Sequence, residues 1–129
     1  MSIRTLIIED NENNMYLTSF LLENSGHRVI QAFDGHKGVE LARESIPDLI
    51  LLDIQLPKMN GYEVARQLRS DPALVSIPIV AITSYAMPGD REKALEAGCN
   101  GYIKKPIDPD TFIAEIESFL TTDEDNSSG

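Results

Sequence analysis

The chain has 129 residues, enough for one domain with a substantial buried core and too few for a second domain with a core of its own. Its formal net charge of -10 excludes a nucleic-acid surface, because binding a phosphate backbone depends on clustered Lys and Arg and none cluster here; protein partners are expected instead. A single cysteine, Cys99, excludes an internal disulfide and a cysteine-rich metal site and fits a reducing, cytoplasmic setting, and neither a signal peptide nor an apolar stretch of membrane-spanning length is visible.

Strand and helix signals alternate along the chain. Leu6-Ile7-Ile8 is a short apolar strand ending in Glu9-Asp10, and Asn11-Glu12-Asn13-Asn14 supplies capping candidates for a helix. Leu17, Phe20 and Leu21 are the expected buried stripe of that helix, and Gly26 is placed to end it. Val29-Ile30 suggests a second strand, followed by an Asp34-Gly35 turn and a weaker helix carrying Val39, Ala42 and Ile46. The run Leu49-Ile50-Leu51-Leu52, too short for a helix and without polar alternation, reads as a strand buried on both faces, hence inside a parallel sheet. It stops at Asp53, and Pro57 and Gly61 break the chain before a helix whose apolar stripe is either Tyr62, Ala65 and Leu68 or Val64 and Leu68.

Asp71-Pro72 starts at most a short turn. Ile79-Val80-Ala81-Ile82 is a fourth buried strand running into Thr83-Ser84. The helix expected from Asp90 to Ala97 has few large apolar residues, so it should be shallowly packed and comparatively mobile. Gly98 closes it, Gly101-Tyr102-Ile103-Lys104 makes a fifth strand, and Asp108-Pro109 repeats the cap signature. The last helix has the clearest period, with Phe112, Ile113, Ile116, Phe119 and Leu120. The domain is therefore expected over residues 1–122, with 123–129 a disordered acidic tail.

Strand-helix units of this size predict an α/β fold: an open, doubly wound parallel sheet with helices on both faces. Ligands in such sheets bind outside the carboxyl ends of the strands. The residues at or just past those ends are Glu9-Asp10, Asp53, Thr83-Ser84 and Lys105. Three carboxylates crowded together repel, and a hard divalent cation removes the conflict. Mg2+ suits the place: it takes oxygen ligands, keeps several waters and leaves room for a phosphoryl group, which would also meet an ammonium and a hydroxyl.

On Glu9-Asp10, Asp53 with its Leu56-Pro57-x-Met59-x-Gly61 loop, Thr83-Ser84 and Lys105-Pro106, the chain resembles the response-regulator receiver domains of two-component signalling, from about Arg4 to Leu120. The resemblance implies a flavodoxin-like fold of five parallel strands in the order 2-1-3-4-5. It implies that Asp53 is the phosphoacceptor, taking a phosphoryl group from a histidine kinase or histidine phosphotransfer protein. Glu9, Asp10, Asp53 and the main-chain carbonyl of Gln55 would hold Mg2+, with Mn2+ as a substitute, Glu9 acting mainly through a metal-bound water. Thr83 and Lys105 would bind phosphoryl oxygens, a cis peptide at Lys105-Pro106 would turn the lysine into the site, and Tyr102 would change rotamer with Thr83. The resemblance also implies that Gln55 and Tyr85 occupy positions that in the family tune phosphoryl lifetime. Output would pass to a downstream protein through the fourth helix, fifth strand and fifth helix, by a monomer or a weak dimer.

Competing readings follow from the same residues. A Mg2+-dependent phosphohydrolase of the haloacid dehalogenase type also uses a strand-end aspartate and a lysine, but Asp53-Ile54-Gln55 lacks its second acid and the chain lacks its cap domain. A receiver cut from a hybrid kinase or larger regulator carries the same motifs. Either way, no turnover of a free substrate is expected. Asp53 or Asp10 could merely cap a turn or helix. His27 and His36 read as surface residues remote from the strand ends, and Cys99 as a small, partly buried residue.

Overall fold

In this computed structural model, residues 2–56, 58–84 and 88–128 are described, with side chains through residue 120. Pro57 and Tyr85, given roles above, lie outside the described residues. The elements, in chain order, are β1 (Arg4–Ile8), α1 (Glu12–Asn24), β2 (Arg28–Ala32), α2 (Gly35–Ser45), β3 (Leu49–Asp53), α3 (Gly61–Arg69), β4 (Ile79–Thr83), α4 (Asp90–Glu96), β5 (Gly101–Lys104) and α5 (Phe112–Ser128).

The strands form one parallel sheet in the order β2-β1-β3-β4-β5. Every residue of β3 and β4 is buried, as uninterrupted apolar runs in a sheet covered on both faces require. Side chains alternate between faces, and the core divides accordingly. Leu6, Ile8, Ile50 and Leu52 point into a cluster with Val39, Ala42, Val64 and Leu68 from α2 and α3. Ile7, Leu49, Leu51 and Val80 point into a second cluster with Met15 and Leu22 of α1 and Phe112 and Ile116 of α5. At the sheet edge, only Ala32 of β2 is buried.

The helices depart from the sequence pattern in three places. On α1 the fully buried residues are Met15, Thr18, Ser19 and Leu22; of the expected stripe, Leu17 and Leu21 pack partly buried against the same cluster and Phe20 does not. Phe20 is 52% exposed and stacks on Tyr16, with ring centroids 6.3 Å apart. The i, i+3, i+4, i+7 set that faces the sheet includes two hydroxyl residues, which a count of large apolar side chains passes over. Ile46 is the C-cap of α2, in the left-handed region at φ 45°, and is exposed instead of joining the stripe of Val39 and Ala42. His27 is 3% exposed, not a surface residue. Its Nδ1 accepts from the Ile3 amide at 3.2 Å, which leaves the proton on Nε2 to meet Glu117 Oε2 at 3.2 Å. These contacts tie the start of β1 and the α1–β2 connection to α5, and a pairing so distant in sequence has no local signal.

α4 is as shallow as its composition suggests, with Ala94 its one buried residue among those described. Phe112 and Ile116 anchor α5, while Ile113, Phe119 and Leu120 pack partly buried against the same cluster. The helical backbone of α5 continues through Ser128, past the expected domain end at 122, and the side chains from 121 onward lie outside the described residues.

Candidate functional site

The strand order reverses direction beside β1: the chain steps from β1 out to β2 and returns to β3 on the other side. A crevice at the carboxyl ends of β1 and β3 is therefore built into the topology. Register fixes what lies around it. Ile8 pairs with Leu52, Asp53 with Ile82, and Thr83 with Lys104, so Glu9-Asp10, Asp53, Thr83 and Lys105 all emerge at one edge.

Local chemistry holds each group there. Asn11 caps α1, its Oδ1 accepting from the Asn14 amide at 2.9 Å, so capping does not occupy Asp10. Glu9 Oε2 accepts from the Asn11 amide at 3.2 Å. Asp53 Oδ1 accepts from the Gln55 amide at 2.9 Å, which fixes the carboxylate to its own loop. That loop returns where the Gly61 amide donates to the Ile54 carbonyl at 3.0 Å. A Cβ on Gly61 would lie 2.5 Å from Ile54 Cα and 2.7 Å from the Asp53 carbonyl oxygen, so only glycine permits this closure. Asn60 caps α3 directly ahead of it. At the far side, the Lys105 amide donates to the Thr83 carbonyl at 2.7 Å, and the Lys105-Pro106 peptide is cis.

Carboxylate oxygens of Glu9, Asp10 and Asp53 lie within 4.8 Å of one another; Glu9 and Asp53 are buried and Asp10 is exposed. Lys105 Nζ reaches both buried acids, 2.9 Å from Glu9 Oε1 and 3.4 Å from Asp53 Oδ2. Burial raises the Glu9 pKa to about 7, with help from the adjoining Asp53, against the lowering effect of Lys105. Burial pulls the Lys105 pKa down, but the two carboxylates together outweigh it and the net shift is upward. Fully ionised, three carboxylates and one ammonium leave two negative charges, which a divalent cation would balance. An all-oxygen donor set with one member open to solvent fits Mg2+, which retains waters.

Thr83 is buried at the end of β4. Tyr102 is half-buried and packs against the α2–α3 core cluster, where burial and then Asp90 raise its hydroxyl pKa. One contact has no counterpart in the sequence reading. Gln55 Oε1 accepts from Ser84 Oγ at 2.6 Å and from the Ser84 amide at 3.3 Å, linking the β3–α3 and β4–α4 loops, while Gln55 Nε2 is buried and has no partner among the described residues. The family resemblance gives Gln55 a main-chain carbonyl for the metal and a position that tunes phosphoryl lifetime, and nothing local marks its side chain as a bridge.

The family model for the response regulator receiver domain matches residues 5–117. The polar-differentiation response regulator DivK of Brucella ovis is 47% identical over 120 residues, covering 93% of this chain and 98% of that protein. Among solved structures, the receiver domain of the sensor histidine kinase PA1611 from Pseudomonas aeruginosa, with a magnesium ion coordinated in its active site cleft, is 34% identical, with a TM-score of 0.82 and coverage of 95% of this chain and 97% of that one. The Vibrio cholerae chemotaxis protein CheY4 shares the fold at a TM-score of 0.88 and 24% identity, covering 92% and 99%. Motif order, sheet topology and these relationships agree: the chain belongs to the response regulator receiver family.

Proposed function

We propose that this receiver accepts a phosphoryl group on Asp53 and signals by changing the surface it offers to protein partners. The observation that carries the reading is Lys105 Nζ set between Glu9 and Asp53 inside a three-carboxylate cluster. An Asp53 carboxylate oxygen attacks the phosphorus of a phosphohistidine on a kinase or phosphotransfer protein. A P–O bond forms as the P–N bond breaks, and the imidazole leaves with the bonding pair and takes up a proton. Lys105 then releases its 3.4 Å contact to Asp53 and pairs with a phosphoryl oxygen. Thr83, at the end of β4, offers its hydroxyl to another.

Receiver domains bind Mg2+ at an acidic pocket, and here Glu9, Asp10, Asp53 and the main-chain carbonyl of Gln55 would hold it. When bound, the ion supplies positive charge against the phosphoryl oxygens, and Mn2+ would serve as a substitute. Movement of the Thr83 hydroxyl opens space for the Tyr102 ring, and the α4–β5–α5 face changes with it. The scant burial of α4 supports a movable face. The protein promotes its own phosphorylation and dephosphorylation and turns over no free substrate.

Incubation with Mg2+ and acetyl phosphate tests the reading: the P–O bond of the donor breaks, acetate leaves, and an acid-stable, hydroxylamine-labile label is expected on the wild type and absent from Asp53→Ala. A wild type that takes no label, or a variant that takes the same one, overturns it.

A further inference from the structure

The two ends of α4 are held very differently. At its start the N-cap is Gly89, which makes no side-chain hydrogen bond to the first turn, and no residue from 88 to 93 is buried. Toward its end Ala94, Ala97 and Cys99 are buried, and the chain then enters a closed set of polar contacts. Arg69, the last residue of α3, donates from Nε to the Gly98 carbonyl at 2.8 Å, from Nη1 to the Leu74 and Val75 carbonyls at 3.1 Å each, and from Nη2 to Asn100 Oδ1. The same Asn100 oxygen accepts from the Ile79 amide at 2.9 Å, and the Asn100 amide donates back to the Ile79 carbonyl at 2.7 Å. One guanidinium therefore joins the end of α3, the α3–β4 connection, the first residue of β4 and the α4–β5 connection. Gly98 fits there only as glycine: its φ is 108°, and a Cβ would collide with the Arg69 stem.

We propose that Arg69 makes Gly98 the hinge of α4: it locks residues 98–100 to α3 and β4, so α4 opens from its N-terminal end while β5 keeps its register. The inference rests on the reading of α4–β5–α5 as the output face and says where on that face movement stops. Four donors in one rigid plane reach acceptors on three separate segments, a geometry that the single ammonium of a lysine does not reproduce. Arg69 is half-buried, so a donor released from its carbonyl is not fully repaid by water. The position of the clamp has a consequence for the site. Asn100 directly precedes β5, which pairs with β4 from Gly101 and leads to Lys105. A hinge at Gly98 lets α4 depart without pulling on the strand that sets the lysine between Glu9 and Asp53.

Amide hydrogen exchange on the full chain tests the hinge in the wild type, Arg69→Met and Arg69→Lys, with the β3 amides of each sample as reference so that a global loss of stability cancels. In the wild type the Asn100 and Ile79 amides should keep pace with β3, while the Lys93 amide, bonded to the Gly89 carbonyl, exchanges faster. Arg69→Met keeps an apolar stem and removes all four bonds. Its Asn100 and Ile79 amides should exchange at least about tenfold faster relative to β3, the worth of one hydrogen bond to a charged group. Arg69→Lys keeps the charge without the fork and should resemble Arg69→Met more than the wild type. Asn100 and Ile79 amides that exchange together with α4 in the wild type, or that still keep pace with β3 in Arg69→Met, overturn the hinge. A second arm adds Mg2+ and beryllofluoride, a phosphoryl mimic, to the wild type. Amide chemical shifts should then change over residues 90–96 and stay fixed at Ile79 and Asn100, and changes of equal size at both places overturn the hinge. A wild type that does not bind beryllofluoride overturns the acceptor reading instead, and the exchange arm still decides the hinge.

Discussion

Lys105 and Asp53 carry opposite charges at one point of contact, yet their removal should move stability in opposite directions. Asp53 faces Glu9 and Asp10 as well as Lys105, so neutralising it relieves two repulsions and its own desolvation and loses one 3.4 Å ion pair. In metal-free buffer at pH 8, Asp53→Asn is expected to raise the unfolding free energy by about 1 kcal/mol. Lys105→Met strands the same carboxylates without their cation and should lower it by roughly 2 to 4 kcal/mol. Urea titrations with a chelator present measure both, and shifts of the same sign would show that the cluster is not organised by this charge balance. Cys99 offers an independent check on burial. Removal from water raises its thiol from a usual value near 9 to about 11, with Arg69 opposing the shift. Between those values the unfolded chain ionises the thiol and the folded chain does not, so the stability the neutral thiol confers is present below pH 9 and is lost as pH rises toward 11. Wild type should therefore lose roughly 2 kcal/mol more than Cys99→Ala between pH 8 and pH 10.5. Equal losses in urea unfolding would mean that the thiol is accessible in the folded state.

At the scale of elements, α1 separates what hydrophobicity shows from what orientation decides. Met15 is 1% exposed inside the α1–α5 cluster, while Phe20, a larger apolar side chain, stacks on Tyr16 in solvent. Met15→Ala should cost about 2 to 5 kcal/mol as a core truncation, and Phe20→Ala less than about 1 kcal/mol. Their order in denaturant unfolding reports which face of α1 meets the sheet. The strands and their sequence were legible because uninterrupted runs such as Leu49–Leu52 have few other solutions, and strand-end acids, hydroxyl and lysine announce one edge of a parallel sheet. The rotation of α1 was not legible, because Thr18 and Ser19 fill the stripe beneath it. Nor were the burial of His27 or the Gln55–Ser84 bridge, since each depends on a partner brought close by the completed fold. Short-range pattern identifies which elements form; contacts between distant segments decide which side each presents.

Across the whole molecule, burial is distributed unevenly, and the unevenness follows the proposed division of labour. β3 lies at the centre of the sheet with all five residues buried and carries the candidate acceptor at its end. α4 lies on the outer part of the same fold and buries Ala94 alone among its seven residues. A segment with so little apolar contact can open without the rest of the chain, whereas β3 can expose its amides only when the sheet comes apart. Native-state hydrogen exchange should then find the α4 amides exchanging at least ~100-fold faster than those of Leu49–Asp53, with little dependence on denaturant, while the β3 amides follow the denaturant dependence of global unfolding. The distinction bears on function as well as stability. If α4 exchanges with the same denaturant dependence as β3, the two belong to one cooperative unit, and a change at Asp53 could not shift α4 without disrupting the sheet that positions the site. Independent opening of α4 would instead leave β1, β3 and β4 as a fixed frame for Glu9, Asp53 and Thr83 while the face beyond Tyr102 rearranges.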